Sequence, residues 1–290
     1  MDNPSHEIRL PSSLSHSPWL VMGILNVTPD SFHDGGRYFD PEVAVARARE
    51  MAAAGAGIID VGGESTRPGA PRVSEREELE RVVPVIRAIA PELDVPISVD
   101  TSKAAVAGGA LKAGAAMVND VTALRGDPDM AAVVVEAGCP VCLMHMQGEP
   151  GTMQKDPRYH DVVAEIGAFF EERVAWAVAQ GIRRDNIILD PGIGFGKKLE
   201  HNLAIIGHLD SFLSLGLPLM IGASRKSFIG MIMEDDGSSA GGSSANVTGG
   251  RLPGTIATSV IAYQKGVSIF RVHDVAENCQ ALKVTEAIYG

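Results

Sequence analysis

Polar and charged residues recur along the chain, each set near or just after the end of a short apolar run. Aliphatic runs bounded by glycine or proline predict buried parallel strands, whose carboxyl ends meet at one edge. These sets include Asn26, Arg67, Asp100, Asn119, His145, Asp190, Lys226, Arg271 and His273. Carboxylates and amides can hydrogen-bond to the edge of a nitrogen heterocycle, whereas the cations can bind phosphate or carboxylate. Together they predict a site for a substrate that carries a heterocycle and an anion.

The clearest example is the stretch 186–197, in which the apolar run 187–189 ends at Asp190 and a glycine-rich turn follows. Three interpretations are open at this point. Asp190 could bind a ligand, it could cap the next helix, or the glycines could cradle a phosphate. A Walker A loop is excluded, because Lys198 stands after Lys197 where Ser or Thr is required. Placed among the other strand ends, Asp190 is predicted to bind the heterocycle.

Eight apolar runs alternate with helical segments and predict the elements that position these residues. They lie at 20–27, 58–61, 96–99, 116–121, 141–144, 187–189, 217–221 and 269–272. Helix starts are indicated by Asp40-Pro41, by Ser74 with Glu77, and by Asp161. Eight strand–helix pairs predict an α/β fold, a single-domain (β/α)8 TIM barrel, with an open doubly wound sheet as the alternative.

The domain boundaries follow from composition. Residues 1–18 are rich in Ser, Pro and His and are predicted to form a loose tail, so the barrel domain spans 19–290. Residues 234–250 are rich in Gly and Ser, have little to bury, and predict a flexible loop inserted after the seventh strand. In barrels of this kind, active sites form at the carboxyl ends of the strands.

Composition excludes several classes of function. The chain has 290 residues and a net charge of −11, which argues against a nucleic-acid surface. No stretch reaches the roughly 18 apolar residues of a membrane span, and the first residues do not resemble a signal peptide. Three cysteines favour a reducing compartment, so we expect a cytoplasmic protein. Cys139 and Cys142 have the spacing of a redox pair, but Cys142 lies in an apolar run, which predicts a structural role.

Five motifs resemble the dihydropteroate synthase family of bacterial folate biosynthesis, and the resemblance extends over residues 21–288. The motifs occur in the expected order: GILNVTPDSF (23–32), GESTRPG (63–69), DPGIGFGK (190–197), SRKS (224–227) and RVHD (271–274). The resemblance implies that (7,8-dihydropterin-6-yl)methyl diphosphate is joined to 4-aminobenzoate with release of diphosphate. We favour an SN1-like displacement, in which the pterin ring stabilises a developing cation. Family members are usually homodimers and are targets of sulfonamides.

The resemblance also implies roles for individual residues. The pterin would be bound by Asp100, Asn119, Met144, Asp190 and Lys226. The diphosphate would be bound by Asn26, Thr66, Arg271 and His273, with Mg²⁺ as cofactor at Asn26. The 4-aminobenzoate would be bound by Phe32, Arg67, Pro68, Phe195 and Ser227. Residues that act in turnover would be Asp34, Thr66, Lys226, Arg271 and His273.

Two alternatives to this function are open on the sequence. One is a barrel that binds methyltetrahydrofolate and transfers its methyl group, which would share the heterocycle pocket but would not need the loops at 26–36 and 64–69. The other is a paralogue that binds pterin without catalysis. The segment at 234–250 departs from the usual short connection of the family, and it could alter substrate access.

Overall fold

Eight parallel strands form one barrel in the computed structural model, which describes residues 11–12, 17–28, 41–65, 70–149, 151–235 and 249–289. The strands are β1 (Leu20–Asn26), β2 (Ile58–Gly62), β3 (Ile97–Asp100), β4 (Met117–Asp120), β5 (Val141–Met144), β6 (Ile187–Asp190), β7 (Met220–Ile221) and β8 (Ile269–Val272). Their order is β6-β5-β4-β3-β2-β1-β8-β7. A bridge between Leu189 and Leu219 connects β6 to β7. The predicted barrel is therefore confirmed, and the open doubly wound sheet is wrong.

Nine α-helices surround the barrel within the described residues. They are α1 (Pro41–Ala53), α2 (Glu75–Ile89), α3 (Ala104–Ala113), α4 (Met130–Ala137), α5 (Val162–Ala179), α6 (Leu199–Gly207), α7 (Ser227–Asp235), α8 (Leu252–Gln264) and α9 (Val275–Tyr289). Both α7 and α8 lie between β7 and β8, so this connection holds one helix more than a regular strand–helix pair. Short 3₁₀ helices stand at Ala90–Glu92, Arg184–Asn186, Leu209–Leu215 and Gly249–Arg251.

Two predicted helix starts are confirmed by their hydrogen bonds. The Ser74 hydroxyl accepts the backbone N–H of Glu77 at 3.2 Å, which satisfies one of the unpaired amides in the first turn of α2. Asp161 does the same for α5, where its carboxylate accepts the N–H groups of Val163 and Ala164, each at 3.0 Å. The predicted cap at Asp40 lies outside the described residues.

The interior of the barrel has an apolar lower layer and a polar upper layer. One core cluster fills the lower layer with Leu20, Met22, Ile58, Met117, Cys142, Ile188, Met220 and Ile269. Side chains alternate along a strand, so the residue two positions further on faces the same interior. On five strands that residue is Asp60, Asn119, Met144, Asp190 or Arg271. The polar residues of the site are therefore side chains of the barrel itself.

Two predicted segments lie largely outside the described residues. Of the tail at 1–18, only 11–12 and 17–18 are described. The loop at 234–250 shares its first two residues with α7 and its last two with the 3₁₀ helix Gly249–Arg251, and 236–248 are not described. The one-domain division therefore stays a prediction.

Two structural observations bear on the expectations that were drawn from composition. Within the described residues, no helix is long and apolar enough to cross a membrane. Cys139 and Cys142 are buried free thiols, and burial raises the pKa of Cys139 to about 11. Thiols of that kind are poor nucleophiles, which agrees with a structural role. The cytoplasmic location and the exclusion of nucleic acid stay predictions.

Gly192→Ala is expected to destabilise the fold strongly, because this glycine has φ +67° and an added Cβ would lie 2.0 Å from the carbonyl oxygen of His145. We expect a loss of at least about 2 kcal/mol in the free energy of unfolding, measured by urea denaturation. Gly207→Ala is the matched control, since a Cβ there meets nothing within 4 Å. Equal stability of the two variants would contradict this account of the turn.

Candidate active site

Asp190 ends β6 inside the barrel and starts the glycine-rich turn. Its side chain is 4% exposed, and its Oδ1 accepts the N–H of Gly192 at 2.7 Å. It does not cap the next helix, because α6 begins only at Leu199. The N–H of Gly194 donates to Asn202 Oδ1 at 2.7 Å, and that of Phe195 to the Gly192 carbonyl at 3.0 Å. These amides are used within the protein, which argues against the phosphate-cradle interpretation of the turn.

Four side chains from four strands form a hydrogen-bonded cluster beside Asp190. Arg271 donates from Nε to Asp60 Oδ2 at 2.6 Å and from a terminal nitrogen to Asp100 Oδ2 at 2.7 Å. Asn119 donates from Nδ2 to the same Asp60 oxygen at 3.1 Å. Asp60 is fully buried and Asp100 is 8% exposed. The guanidinium therefore joins β2, β3 and β8 across the interior of the barrel.

This cluster holds two carboxylates for one guanidinium. Burial raises the pKa of Asp100 to about 7; Arg271 opposes the shift, and the charge of Asp60 adds to it. Burial acts to lower the pKa of Arg271, but Asp60 and Asp100 outweigh it and hold that pKa above its ordinary value. Burial also raises the pKa of Asp190, against the charge of Lys226. The inner layer of the site, which we call its floor, consists of Asp60, Asp100, Asn119 and Asp190. It is thus acidic and suited to bind N–H donors.

Lys226 reaches the site from the segment that follows β7. Its Nζ donates to the carbonyl of Ile193 and lies 4.5 Å from the centre of the Phe195 ring. Burial lowers its pKa to about 8, although Asp190 acts in the opposite direction. The Phe195 ring is half-buried and packs against a cluster that contains Met144. Ser227 lies next to Lys226, as the exposed first residue of α7.

His273 follows β8 and is oriented by Ser224. The Ser224 hydroxyl accepts the backbone N–H of His273 at 3.2 Å and lies 3.0 Å from its Nδ1. The hydroxyl proton can therefore be donated to Nδ1, which favours the tautomer with its proton on Nε2. An ion pair between Arg225 and Asp274, with Nε 2.9 Å from Oδ2, joins the same two segments. The ends of β7 and β8 are thus connected at two points.

Asn26 stands at the end of β1, beside the acidic cluster. A Cβ on Gly62 would lie 3.8 Å from Asn26 Oδ1 and 3.6 Å from Asp100 Oδ2, so both oxygens border this glycine. The absence of a side chain at Gly62 leaves space between them. A carboxamide oxygen at this position is a suitable ligand for a hard cation such as Mg²⁺.

Comparison with known proteins identifies the family. The model of a family described as "Pterin binding enzyme" matches residues 22–273. The chain belongs to the pterin-binding enzymes. A dihydropteroate synthase of Escherichia coli (strain K12) is 49% identical over 276 residues, which cover 95% of this chain and 94% of the relative. A dihydropteroate synthase of Bacillus subtilis (strain 168) is 46% identical over 279 residues, which cover 96% and 92%.

Solved structures of pterin-binding enzymes share the fold. A Yersinia pestis dihydropteroate synthase in complex with a sulfonamide drug has a TM-score of 0.84 and 46% identity, and the match covers 93% of this chain and 94% of that one. A Xanthomonas albilineans dihydropteroate synthase in complex with 7,8-dihydropteroate has a TM-score of 0.81 and 40% identity, over 93% and 94%. The match therefore extends over nearly the whole of both chains.

Most of the predicted site residues are brought together, and some cannot be placed. Asp100, Asn119, Met144, Asp190 and Arg271 line the inside of the barrel near its carboxyl rim. Arg271 was predicted to bind the diphosphate, and its guanidinium is bound by the two carboxylates in the interior. Five predicted residues lie outside the described residues: Phe32, Asp34, Thr66, Arg67 and Pro68.

Two residues of this pterin-binding enzyme were missed by the sequence analysis. Asp60 was overlooked because it was counted as part of the apolar run 58–61. A carboxylate among three aliphatic residues could have identified it as a functional or paired residue, since burial of a charge without a partner is strongly unfavourable. Lys197 was counted as part of a motif, yet it is 3% exposed, and its partners include His145. His145 is 52 residues away in sequence, so no local signal identifies this partner.

Arg271→Met is expected to lower the free energy of unfolding by about 3 kcal/mol, because it leaves Asp60 and Asp100 buried without their cation. Urea denaturation of the substrate-free protein measures this loss. The control Arg225→Met breaks the more exposed pair with Asp274 and should cost less. The double variant Asp60→Asn/Arg271→Met should recover part of the loss. The shared-cation account is wrong if Arg271→Met is no less stable than Arg225→Met.

Proposed function

We propose that this chain is a dihydropteroate synthase, which joins (7,8-dihydropterin-6-yl)methyl diphosphate to 4-aminobenzoate and releases diphosphate. The observation that carries the proposal is a buried polar layer inside the barrel of a pterin-binding enzyme. It consists of two carboxylates and one carboxamide, those of Asp100, Asp190 and Asn119. Named dihydropteroate synthases match this chain over almost its full length. One of the matching structures is described as a complex with 7,8-dihydropteroate.

The acidic floor would bind the pterin. A pterin presents its 2-amino group and N3–H as adjacent donors, and an ionised Asp190 can accept both in a paired contact. Gly192 uses one lone pair of Oδ1, so both carboxylate oxygens keep acceptor capacity. Asn119 can donate and accept on the neighbouring edge of the ring. Lys226 lies close enough to Asp190 for their charges to interact, and it can donate to a ring oxygen or nitrogen.

The chemical step is a displacement at the pterin methylene carbon. The bond from this carbon to the diphosphate oxygen breaks, and its electron pair leaves with the diphosphate. The arylamine nitrogen then supplies its lone pair to the carbon and afterwards loses a proton. The pterin ring can stabilise a cation at this carbon, so an SN1-like path is favoured, and a neutral arylamine needs no strong base to attack. Arg271 and His273, at the end of β8, would stabilise the negative charge that develops on the leaving group.

The proposal includes Mg²⁺ as the cofactor, for which the described residues supply few ligands. Among the described residues, no group of three His, Cys, Asp or Glu side chains could form a metal site. Mg²⁺ often binds through one or two protein oxygens, with substrate phosphates and water completing its shell. The Asn26 carboxamide can provide one such oxygen. Bound there, the ion would neutralise charge on the diphosphate.

Asp34 and Thr66 are proposed to act in turnover, and Phe32, Arg67, Pro68, Phe195 and Ser227 to contact 4-aminobenzoate. Phe195 is half-buried next to Lys226, where a flat aromatic acid could rest against its ring. A second substrate in this place would also cover the reacting carbon and exclude water, which would otherwise trap a cation. The methyl-transfer and non-catalytic alternatives are disfavoured, because the named relatives are dihydropteroate synthases.

We also propose that the protein is a homodimer. Five apolar side chains are exposed on the adjacent helices α6, α7 and α8: Leu203, Met231, Ile232, Met233 and Ile261. Exposed apolar side chains on neighbouring helices favour an interaction surface, and a second copy of the chain is the simplest occupant.

Charge placed on this surface should separate the protomers. We expect Met231→Glu to lower the sedimentation-derived mass from that of a dimer to that of a monomer. The matched control is Val284→Glu, on the exposed face of α9. A wild-type protein that sediments as a monomer would refute the dimer proposal.

The function is tested by an assay of diphosphate release and dihydropteroate formation from the two substrates. Wild-type protein is expected to form both products in equal amounts, and diphosphate release without dihydropteroate would refute the synthase. Asp190→Asn is expected to weaken pterin diphosphate binding roughly tenfold or more in calorimetry, because it replaces a charged acceptor by a neutral amide. Unchanged affinity would refute the role of Asp190 in pterin recognition.

A further inference from the structure

Lys197 is a buried cation to which the proposed chemistry assigns no role. Its side chain is 3% exposed, and its Nζ lies against three acceptors. These are His145 Nδ1 at 3.0 Å, the carbonyl of His145 at 3.3 Å and the carbonyl of Phe195 at 3.0 Å. An ammonium has three N–H donors, so this set can satisfy it fully.

The contact with Phe195 is one of several that hold the turn 192–196. Three glycines in this turn have positive φ, so its backbone has little conformational preference of its own. Every carbonyl in the turn accepts a hydrogen bond. The donors, in chain order, are Phe195 N, Lys226 Nζ, Gln154 Nε2, Lys197 Nζ and Tyr159 Oη. Side chains from outside the turn thus determine its shape.

His145 anchors Lys197 to the barrel. The backbone N–H of His145 donates to the Asp190 carbonyl at 2.9 Å, next to the end of the β5–β6 pairing. Its ring stands edge-on to Phe169, with the centroids 4.8 Å apart. Burial lowers the pKa of His145 to about 2, so the ring is neutral, and in the tautomer with its proton on Nε2 the Nδ1 atom accepts from Lys197. Burial also lowers the pKa of Lys197 to about 7, and both forms of its amine keep N–H donors.

We propose that Lys197, held by His145, is a positioning residue that sets the place of the Phe195 ring and thereby the affinity for the second substrate, an aromatic carboxylic acid with a 4-amino group. This inference rests on the proposed function. Lys197 bonds the carbonyl of Phe195 itself, whereas the other side-chain donors bond its neighbours in the turn. Loss of this bond frees the backbone that carries the ring.

The pterin side of the site should depend little on this bond, because other hydrogen bonds hold it and the charge of Lys197 is a minor influence on Asp190. Asp100 and Asn119 belong to strands, and Arg271 and Asp60 hold them in place. Asp190 ends β6, where its backbone is paired with Met144 of β5. The inference therefore predicts a selective defect, in which binding of the arylamine weakens and binding of the pterin does not.

Lys197→Met tests this selectivity, with Lys198→Met as the matched control, because the Lys198 side chain is exposed. We expect the KM for 4-aminobenzoate to rise about tenfold in Lys197→Met, which corresponds to the loss of one or two hydrogen bonds. The Kd for pterin diphosphate, measured by calorimetry, should stay within about twofold of wild type. Lys198→Met should match wild type in both measurements.

Two variants of His145 give a second test that does not depend on the folding of Lys197→Met. His145→Asn can place its Oδ1 near the position of Nδ1 and keep an acceptor, whereas His145→Leu removes it. We expect the KM for 4-aminobenzoate to stay near the wild-type value in His145→Asn and to rise as in Lys197→Met in His145→Leu. Equal values in the two His145 variants would overturn the inference.

An unchanged KM for 4-aminobenzoate in Lys197→Met, or an equal rise in the Kd for pterin diphosphate, would also overturn the inference. Hydrogen exchange of the backbone amides of 192–198 tests the positioning of the turn without any activity assay. It therefore distinguishes a failure of this inference from a failure of the proposed function. If wild-type protein forms no dihydropteroate, faster exchange in Lys197→Met than in Lys198→Met still supports the positioning of the turn, and equal exchange refutes it.

Discussion

A single guanidinium shared by two buried carboxylates is the interaction on which this site depends. A carboxylate inside a barrel is strongly unfavourable unless a charged partner and hydrogen bonds accompany it. Arg271 provides both for Asp60 and Asp100, and it crosses the interior from β8 to β2 and β3. Asn119 completes the set from β4. The acidic layer can therefore stay in place before any substrate arrives.

The balance of charge in this layer explains what it can bind. One cation shared by two carboxylates leaves an excess of hydrogen-bond acceptors. Burial of these carboxylates raises the pKa of Asp100. Asp190 adds another acceptor near Gly222, where an added Cβ would lie 3.9 Å from its Oδ2 and 4.0 Å from Arg271 Cβ. A neutral ring with several N–H donors matches this surface. An anion would not, because the carboxylates would repel it.

The turn 192–196 at the rim of the site is fixed by other contacts than the floor. Strand pairing fixes the floor, because each of its residues belongs to the barrel. The turn 192–196 has no such pairing, and its glycines would allow many conformations. Side chains from other segments fix it by bonding its carbonyls, with Lys226 and Lys197 among them. Because Phe195 is carried by this turn, the position of its ring depends on contacts made by side chains from other segments.

The sequence by itself determined the strands, several helix starts and the identity of most polar residues near the rim. These are local properties: apolar runs such as 187–189 can only be buried, and Ser74 or Asp161 satisfy amides two or three residues away. Local pattern also showed that Asp190 ends a strand. It could not decide against the helix cap or the phosphate cradle, because that depended on where α6 begins and on the partners of the glycine amides.

Only the tertiary structure decided the pairings across the barrel. Asp60 and Arg271 are separated by 211 residues in the chain, and His145 and Lys197 by 52. Closure of the barrel brings them together, since parallel strands point their alternate side chains into one interior. The sequence names the charged residues, but the choice of partner for a buried charge follows from distance and burial. Both are properties of the folded chain.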